Sequence, residues 1–260
     1  MSQPSLQGRV ALVTHGSSEM GLGICAALGG AGASVVFGAD EAGAVQQATG
    51  ELERAGICAS GWQMDGAHIG SVGELVEATV ARHGRLDIMV NTSVITAGAP
   101  AESMALDQFV QGIAVNLNTM FFGCQFAARQ MLAQAPAGGT IVNITSVGGV
   151  VALPGHADYC SAMAGVNAII KILATELGPQ GIRVVGVGAG LSPELLLTLT
   201  VQPALPGGER LSHRRVPAPS LTSAADVAQA VVYLCGDGAK HISGTTLYVD
   251  GGWLADGYWE

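Results

Sequence analysis

Short β-branched apolar runs recur along this chain, with helix-spaced apolar patterns between most of them, and that alternation constrains the fold more than any other feature. The runs are Arg9–Val13, Ser34–Phe37, Cys58–Gln63, Leu86–Val90, Thr140–Ile144, Arg183–Val187 and Thr246–Val249. Helical patterns lead to about Gly30, then span about Ser71–Arg82, Leu106–Leu132, Tyr159–Leu177 and Ser223–Cys235. Short runs without polar alternation fit strands covered on both faces, and helical crossovers joining them place the strands parallel. Right-handed crossovers then put helices on both sides of the sheet. The expected architecture is one doubly wound α/β domain over residues 1–260, a seven-stranded parallel sheet in three layers. No repeat, linker or low-complexity segment divides it. Only 12% of residues are charged and 38 are glycine, which suits a buried sheet and tight turns.

Composition also excludes several functions. A net charge of −9 argues against a nucleic-acid or anionic-membrane partner. No run of 18 apolar residues predicts a membrane span. Met1–Gly8 is polar and lacks the apolar core of a secretory signal, so a cytoplasmic location is expected. The cysteines at 25, 58, 124, 160 and 235 are odd in number and far apart, which favours free thiols. The histidines lack metal-ligand spacing, so no metal site is expected.

Two stretches carry the chemistry. The first is Thr14-His15-Gly16-Ser17-Ser18-Glu19-Met20-Gly21-Leu22-Gly23, between the first strand and its helix. A strand, a glycine-rich turn and a helix N-terminus form an anion cradle, because the first-turn N–H groups are unpaired. The second is Asn143–Met163, where Ser146 follows a strand and Tyr159 opens a helix after a Gly/Pro-marked loop. Ligands of open α/β sheets bind beyond the carboxyl ends of the strands, so Ser146 and Tyr159 are candidates to meet in one crevice.

The thirteen-residue spacing of Ser146 and Tyr159, and the residues around them, resemble the short-chain dehydrogenase/reductase family, from Gly8 to about Leu254. The resemblance implies a Rossmann-like fold. It also implies that Ser146 orients a carbonyl or alcohol oxygen, that Tyr159 exchanges a proton and that Asn116 holds a water in a proton relay. It assigns nucleotide contacts to the glycine turn, where of the family's glycines only Gly21 survives, with Gly16 beside it, and to Asp65, Asn91 and Asp40, which stands one place after the family's ribose-reading position. A Leu- and Pro-rich segment, 191–221, corresponds to a short helix and lid. The same resemblance locates the departures. Met163 stands where the family has lysine, one helical turn beyond the tyrosine. His15 and Glu19 replace turn glycines, and Ala39, Thr92, Val94 and Ala189 also differ. Glu19 would bring a negative charge toward a pyrophosphate, a repulsion of about 4 kcal/mol at ~4 Å and an effective dielectric of ~20, less if the side chain swings away. Met163 removes the ammonium that contacts the nicotinamide ribose. Lys171 is ~12 Å farther along the same helix and cannot substitute.

Three readings follow. One is a catalytically silent subunit paired with an intact homologue in an alcohol or hydroxyacyl dehydrogenase, binding no NAD or binding it weakly. Another is a working NAD-dependent oxidoreductase with a weakened site; NADP is disfavoured because Ser18 and Asp40 offer no cation for a 2′-phosphate. The last is a cofactor-free isomerase, lyase or cyclase acting on an apolar or acyl small molecule through Ser146 and Tyr159. Alternatively, Ser146 caps its loop, Asn116 bonds a helix carbonyl and Tyr159 lines a pocket, all as scaffolding. A homo- or hetero-oligomer is expected, from apolar residues on the two long helices (Ala127, Ala128, Met131, Ala164, Ile169, Ile170) and the aromatic segment Trp253–Trp259.

Overall fold

The computed structural model describes residues 5–65, 68–92, 98–193, 195 and 216–256. Seven parallel strands run in the order β3-β2-β1-β4-β5-β6-β7. They are β1 Val10–Val13, β2 Ser34–Ala39, β3 Ala59–Gln63, β4 Ile88–Asn91, β5 Gly139–Ser146, β6 Ile182–Ala189 and β7 Thr246–Val249. Every expected strand is present, and β5 runs far enough to include Ser146 as its last residue.

The helices are α1 Glu19–Gly30, α2 Ala42–Arg54, α3 Ile69–His83, α4 Leu106–Ile113, α5 Thr119–Ala133, α6 Ala157–Leu177 and α7 Ala224–Cys235. The pattern over 106–132 is one helical run interrupted by a π-helical segment, Ala114–Asn118. Helix α2 has no strong sequence signature. It contains Gly43 and Gly50 and buries only Ala48 and Leu52. Helix α7 begins with a reciprocal cap, in which the Asp226 N–H donates to Ser223 Oγ and the Ser223 N–H donates to Asp226.

Two apolar layers sandwich the sheet. One holds Leu28, Phe37, Val90, Val187 and Val231 between the sheet and helices α1 and α7. The other holds Leu75, Met89, Met131, Tyr159, Met163 and Ile170 under α3, α5 and α6. Helix α6 is long and apolar enough to pass a length-and-composition test for a membrane span. Its inner side nevertheless belongs to the core, where Ala162, Met163, Val166 and Ile170 are fully buried.

This packing corrects the expected oligomer surface. Ala127, Ala128, Met131 and Ile170 are core residues, and so is Trp253. A central helix must fill the sheet's face as well as its neighbours, so a broad apolar stripe does not by itself mark an interface. Of the expected set, Ala164 is exposed and Ile169 half-buried. Most of the 191–221 segment and the last aromatic residues lie outside the described residues, but Leu191 and Leu195 are buried.

Candidate functional site

Strand order reverses between β1 and β4, each flanked by strands running away on the other side. A crevice is expected beyond the carboxyl ends of these two strands. Here those ends are stitched together. The Thr92 N–H donates to Thr14 Oγ1 at 2.9 Å, and the Thr92 hydroxyl donates to Thr14 O at 2.8 Å. A small cavity beside them, about 10 Å³, is lined by Thr14, His15, Val72, Asn91, Thr92, Thr119 and Met120.

The turn after β1 is rigidly built. Ser18 caps α1, its Oγ accepting from the Gly21 N–H at 3.0 Å and donating to His15 O at 2.8 Å. A Cβ at Gly21 would lie 2.2 Å from His15 O, and one at Gly16 would lie 2.5 Å from Phe37 Cβ. Both glycines are therefore required by the protein's own packing, whatever the turn binds. His15 is the one non-glycine residue with positive φ among the described residues, at +46°. Histidine enters this region more readily than most residues, though at a cost of about 1–3 kcal/mol. Its side chain is buried and its Nδ1 has no partner. Burial holds its pKa below the ordinary histidine value, while the Asp40 charge pulls it upward. Glu19 is exposed at the first position of α1.

The other expected nucleotide contacts divide. Asp40 and Asp65 are exposed near the ends of β2 and β3, Asp65 N–H donating to Ser71 Oγ at 2.9 Å. Asn91 is directed into the protein: its Nδ2 donates to Asn143 Oδ1 at 3.0 Å and to Cys124 Sγ at 3.5 Å. The Cys124 thiol donates to Asn143 Oδ1 at 3.3 Å, and burial pushes its pKa to about 12 against those bonds. Asn143 and Cys124 were not among the sequence candidates. A polar residue in the middle of an apolar strand is the signal that marks Asn143. Val94 lies outside the described residues.

Ser146, Tyr159 and Asn116 are all buried on elements that pack around α6. Ser146 Oγ accepts from the Gly148 N–H at 3.1 Å. Asn116 Nδ2 donates to Gly112 O at 3.2 Å, within the π-helical segment. Both bonds match the scaffolding alternative. A serine hydroxyl that accepts in this way still has a proton to donate, so the bond does not remove it from chemistry. Tyr159 is the third residue of α6, and Met163, one turn on, has 0% exposure. Lys171 and Lys240 are both exposed. His156, three residues before Tyr159, is 1% exposed and neither ring nitrogen has a partner. Burial lowers its pKa, opposed by the Asp158 charge.

A larger cavity, about 460 Å³, opens at the amino ends of the strands. Arg183 on its wall donates to Leu234 O, Ile242 O and Thr140 Oγ1, tying the end of α7 to the sheet. It lies at the opposite end of the strands from Ser146 and Tyr159. Among the described residues, no three His, Cys, Asp or Glu side chains are grouped to hold a metal ion.

A family model described as enoyl-(acyl carrier protein) reductase matches residues 16–254. D-threitol dehydrogenase of Mycolicibacterium smegmatis is 34% identical over 250 residues, 95% of this chain and 94% of that protein. 3β-hydroxysteroid dehydrogenase 1 of Eggerthella lenta is 32% identical over 249 residues, again 95% and 94%. Among solved structures, a 7α-hydroxysteroid dehydrogenase complexed with NADH and 7-oxo glycochenodeoxycholic acid is similar with a TM-score of 0.82 at 25% identity, covering 95% of each chain. Similarity of this extent, in sequence and in fold, establishes the lineage: the chain belongs to the short-chain dehydrogenase/reductase family of oxidoreductases.

Proposed function

We propose that this chain is a catalytically silent member of its family, acting as the partner of an intact homologue in an alcohol or hydroxyacyl dehydrogenase. The observation that carries this reading is Met163, fully buried at the place of the family's lysine, with both lysines of the chain on the surface. The family's lysine would place an ammonium one turn from the tyrosine, and the thioether of Met163 carries no charge.

The fit of a nicotinamide dinucleotide is poor for a second reason. Among the described residues, His15 and the two Thr14–Thr92 hydrogen bonds border a cavity of about 10 Å³ at the switch point, room for one water. The exposed Glu19 carboxylate sits at the helix N-terminus that a pyrophosphate would approach. NADP fits less well still, since Ser18 and Asp40 present no cation to a 2′-phosphate. No step of chemistry is therefore assigned to a dinucleotide in this chain.

The partner surface is drawn from residues exposed in the single chain. Leu106, Phe109 and Val110 on α4 are exposed, as are Ala164, Ala168 and Ile172 on α6. Exposed apolar residues on two adjoining helices suit a two-fold contact with a homologous pair. A silent subunit contributes stability there, or shapes the entrance of its neighbour's site for an apolar or acyl substrate.

The second reading, an NAD-dependent oxidoreductase with a weakened site, is favoured by two observations. The Ser18 cap of the turn is intact, and a structural relative was solved with NADH. Co-expression with an intact family homologue from the same host, followed by size-exclusion chromatography with light scattering, separates the readings. A mixed oligomer that keeps its dehydrogenase activity in Tyr159→Phe supports the silent subunit. A stable monomer that oxidises an alcohol with NAD by itself contradicts it.

A further inference from the structure

We propose that the turn between β1 and α1 is a latent nucleotide cradle, closed by two of the chain's own side chains rather than dismantled. The inference rests on the reading that this chain does not hold a dinucleotide, and it assigns that loss to His15 and Glu19 specifically.

The backbone of the cradle is complete. The Ser18 cap, the Gly16 N–H donating to Gly38 O at 2.7 Å and the Ser18 N–H donating to His15 O at 3.1 Å fix its course. Gly16 and Gly21 keep the strand, turn and helix in close contact.

What has changed is its contents. His15 stands in a left-handed conformation that glycine adopts freely. The residue is 8% exposed and borders the small cavity together with Thr14, Asn91 and Thr92. The Nδ1 atom is buried and unpartnered, so the ring fills space without gaining a protein hydrogen bond there. Such a side chain is a plug and not a structural strut.

Glu19 acts at the mouth of the same turn. It occupies the first position of a twelve-residue helix, where the positive end of the helix dipole favours an anion. A phosphate group draws on the same field and the same unpaired N–H groups. The chain thus carries its own carboxylate at the place that would otherwise attract a ligand's charge. Glu19 is exposed, and replacing His15 by glycine relieves its positive φ, so both side chains can be changed with the turn's backbone contacts kept.

Isothermal titration with NADH tests this on the full chain, using wild type, Glu19→Gln, His15→Gly and the His15→Gly/Glu19→Gln double variant. His15→Asn provides a second plug-removing variant that tolerates positive φ. The expected result is a gain of at least tenfold in NADH affinity in the double variant, with smaller gains in the single variants, each reversed by AMP competition. Folded double and His15→Asn variants with wild-type affinity would overturn the latent cradle and leave the silent-subunit reading standing. Micromolar binding by wild type would overturn both.

Discussion

The phosphate turn and the Ser146–Met163 element have diverged in different ways. In the turn, positions pressed by the protein itself keep glycine: Gly16 against Phe37 and Gly21 against His15 O. Two positions where the family has glycine have acquired side chains, the buried His15 and the exposed Glu19. In the Ser–Tyr element, the polar groups with internal work persist. Ser146 holds the Gly148 N–H, and Asn116 holds Gly112 O. The position whose family role is directed at the cofactor has become Met163, a core residue. Retention therefore follows internal contacts in both regions, and a family motif residue that remains is evidence of packing before it is evidence of catalysis.

The sharpest way to break this comparison is Gly21→Ala. Its Cβ would meet a backbone oxygen, which cannot rotate away, and the expected loss is about 3 kcal/mol of stability, read from the urea midpoint. An unchanged midpoint would mean that the turn is not held by packing. Met163→Lys comes next. It places a charge in an apolar layer, at an expected loss of about 2–3 kcal/mol, and NADH oxidation should remain absent because the turn is unaltered. Family-like turnover in this single variant would make Met163 the whole defect and leave His15 and Glu19 without consequence. Ser146→Ala should cost about 1 kcal/mol by orphaning the Gly148 N–H, with no kinetic effect on a mixed oligomer.

The smallest effect is in pH, and it touches both regions. His15 and His156 have native pKa values lowered by burial, each opposed by a neighbouring aspartate. The unfolded chain then binds more protons than the native one near and below the ordinary histidine value of 6.5. Stability from these groups is complete above that value and falls as pH drops through it toward the lowered native values. His15→Asn should flatten the slope from the turn, and His156→Gln the slope from the Ser–Tyr element. Urea midpoints measured from pH 8 to pH 5, about the range over which histidine titrates, separate the two.

Much of the fold is legible in the sequence because a parallel sheet buried on both faces leaves continuous apolar runs. Thr246–Val249 matches the observed strand at both ends. Helix α2 was not legible, since it is half exposed and spends its sequence on Gln46, Gln47 and two glycines. The π-helical segment leaves no periodic trace within an otherwise apolar helix. At the site, the sequence placed Ser146 beside the end of a strand and Tyr159 at the start of a helix, where β5 ends and α6 begins. The inward turn of Asn91 could not be read, because its partners Asn143 and Cys124 come from distant strands and helices. The apolar residues of α5 and α6 illustrate the converse: their hydrophobicity was plain, but only packing shows which of them face the core.

The most direct single measurement is calorimetric titration of the unmodified chain with NADH. A silent subunit predicts a dissociation constant weaker than about 1 mM, no more than about 4 kcal/mol of binding. A micromolar constant would contradict it, placing the chain among the nucleotide-using members of its family despite Met163.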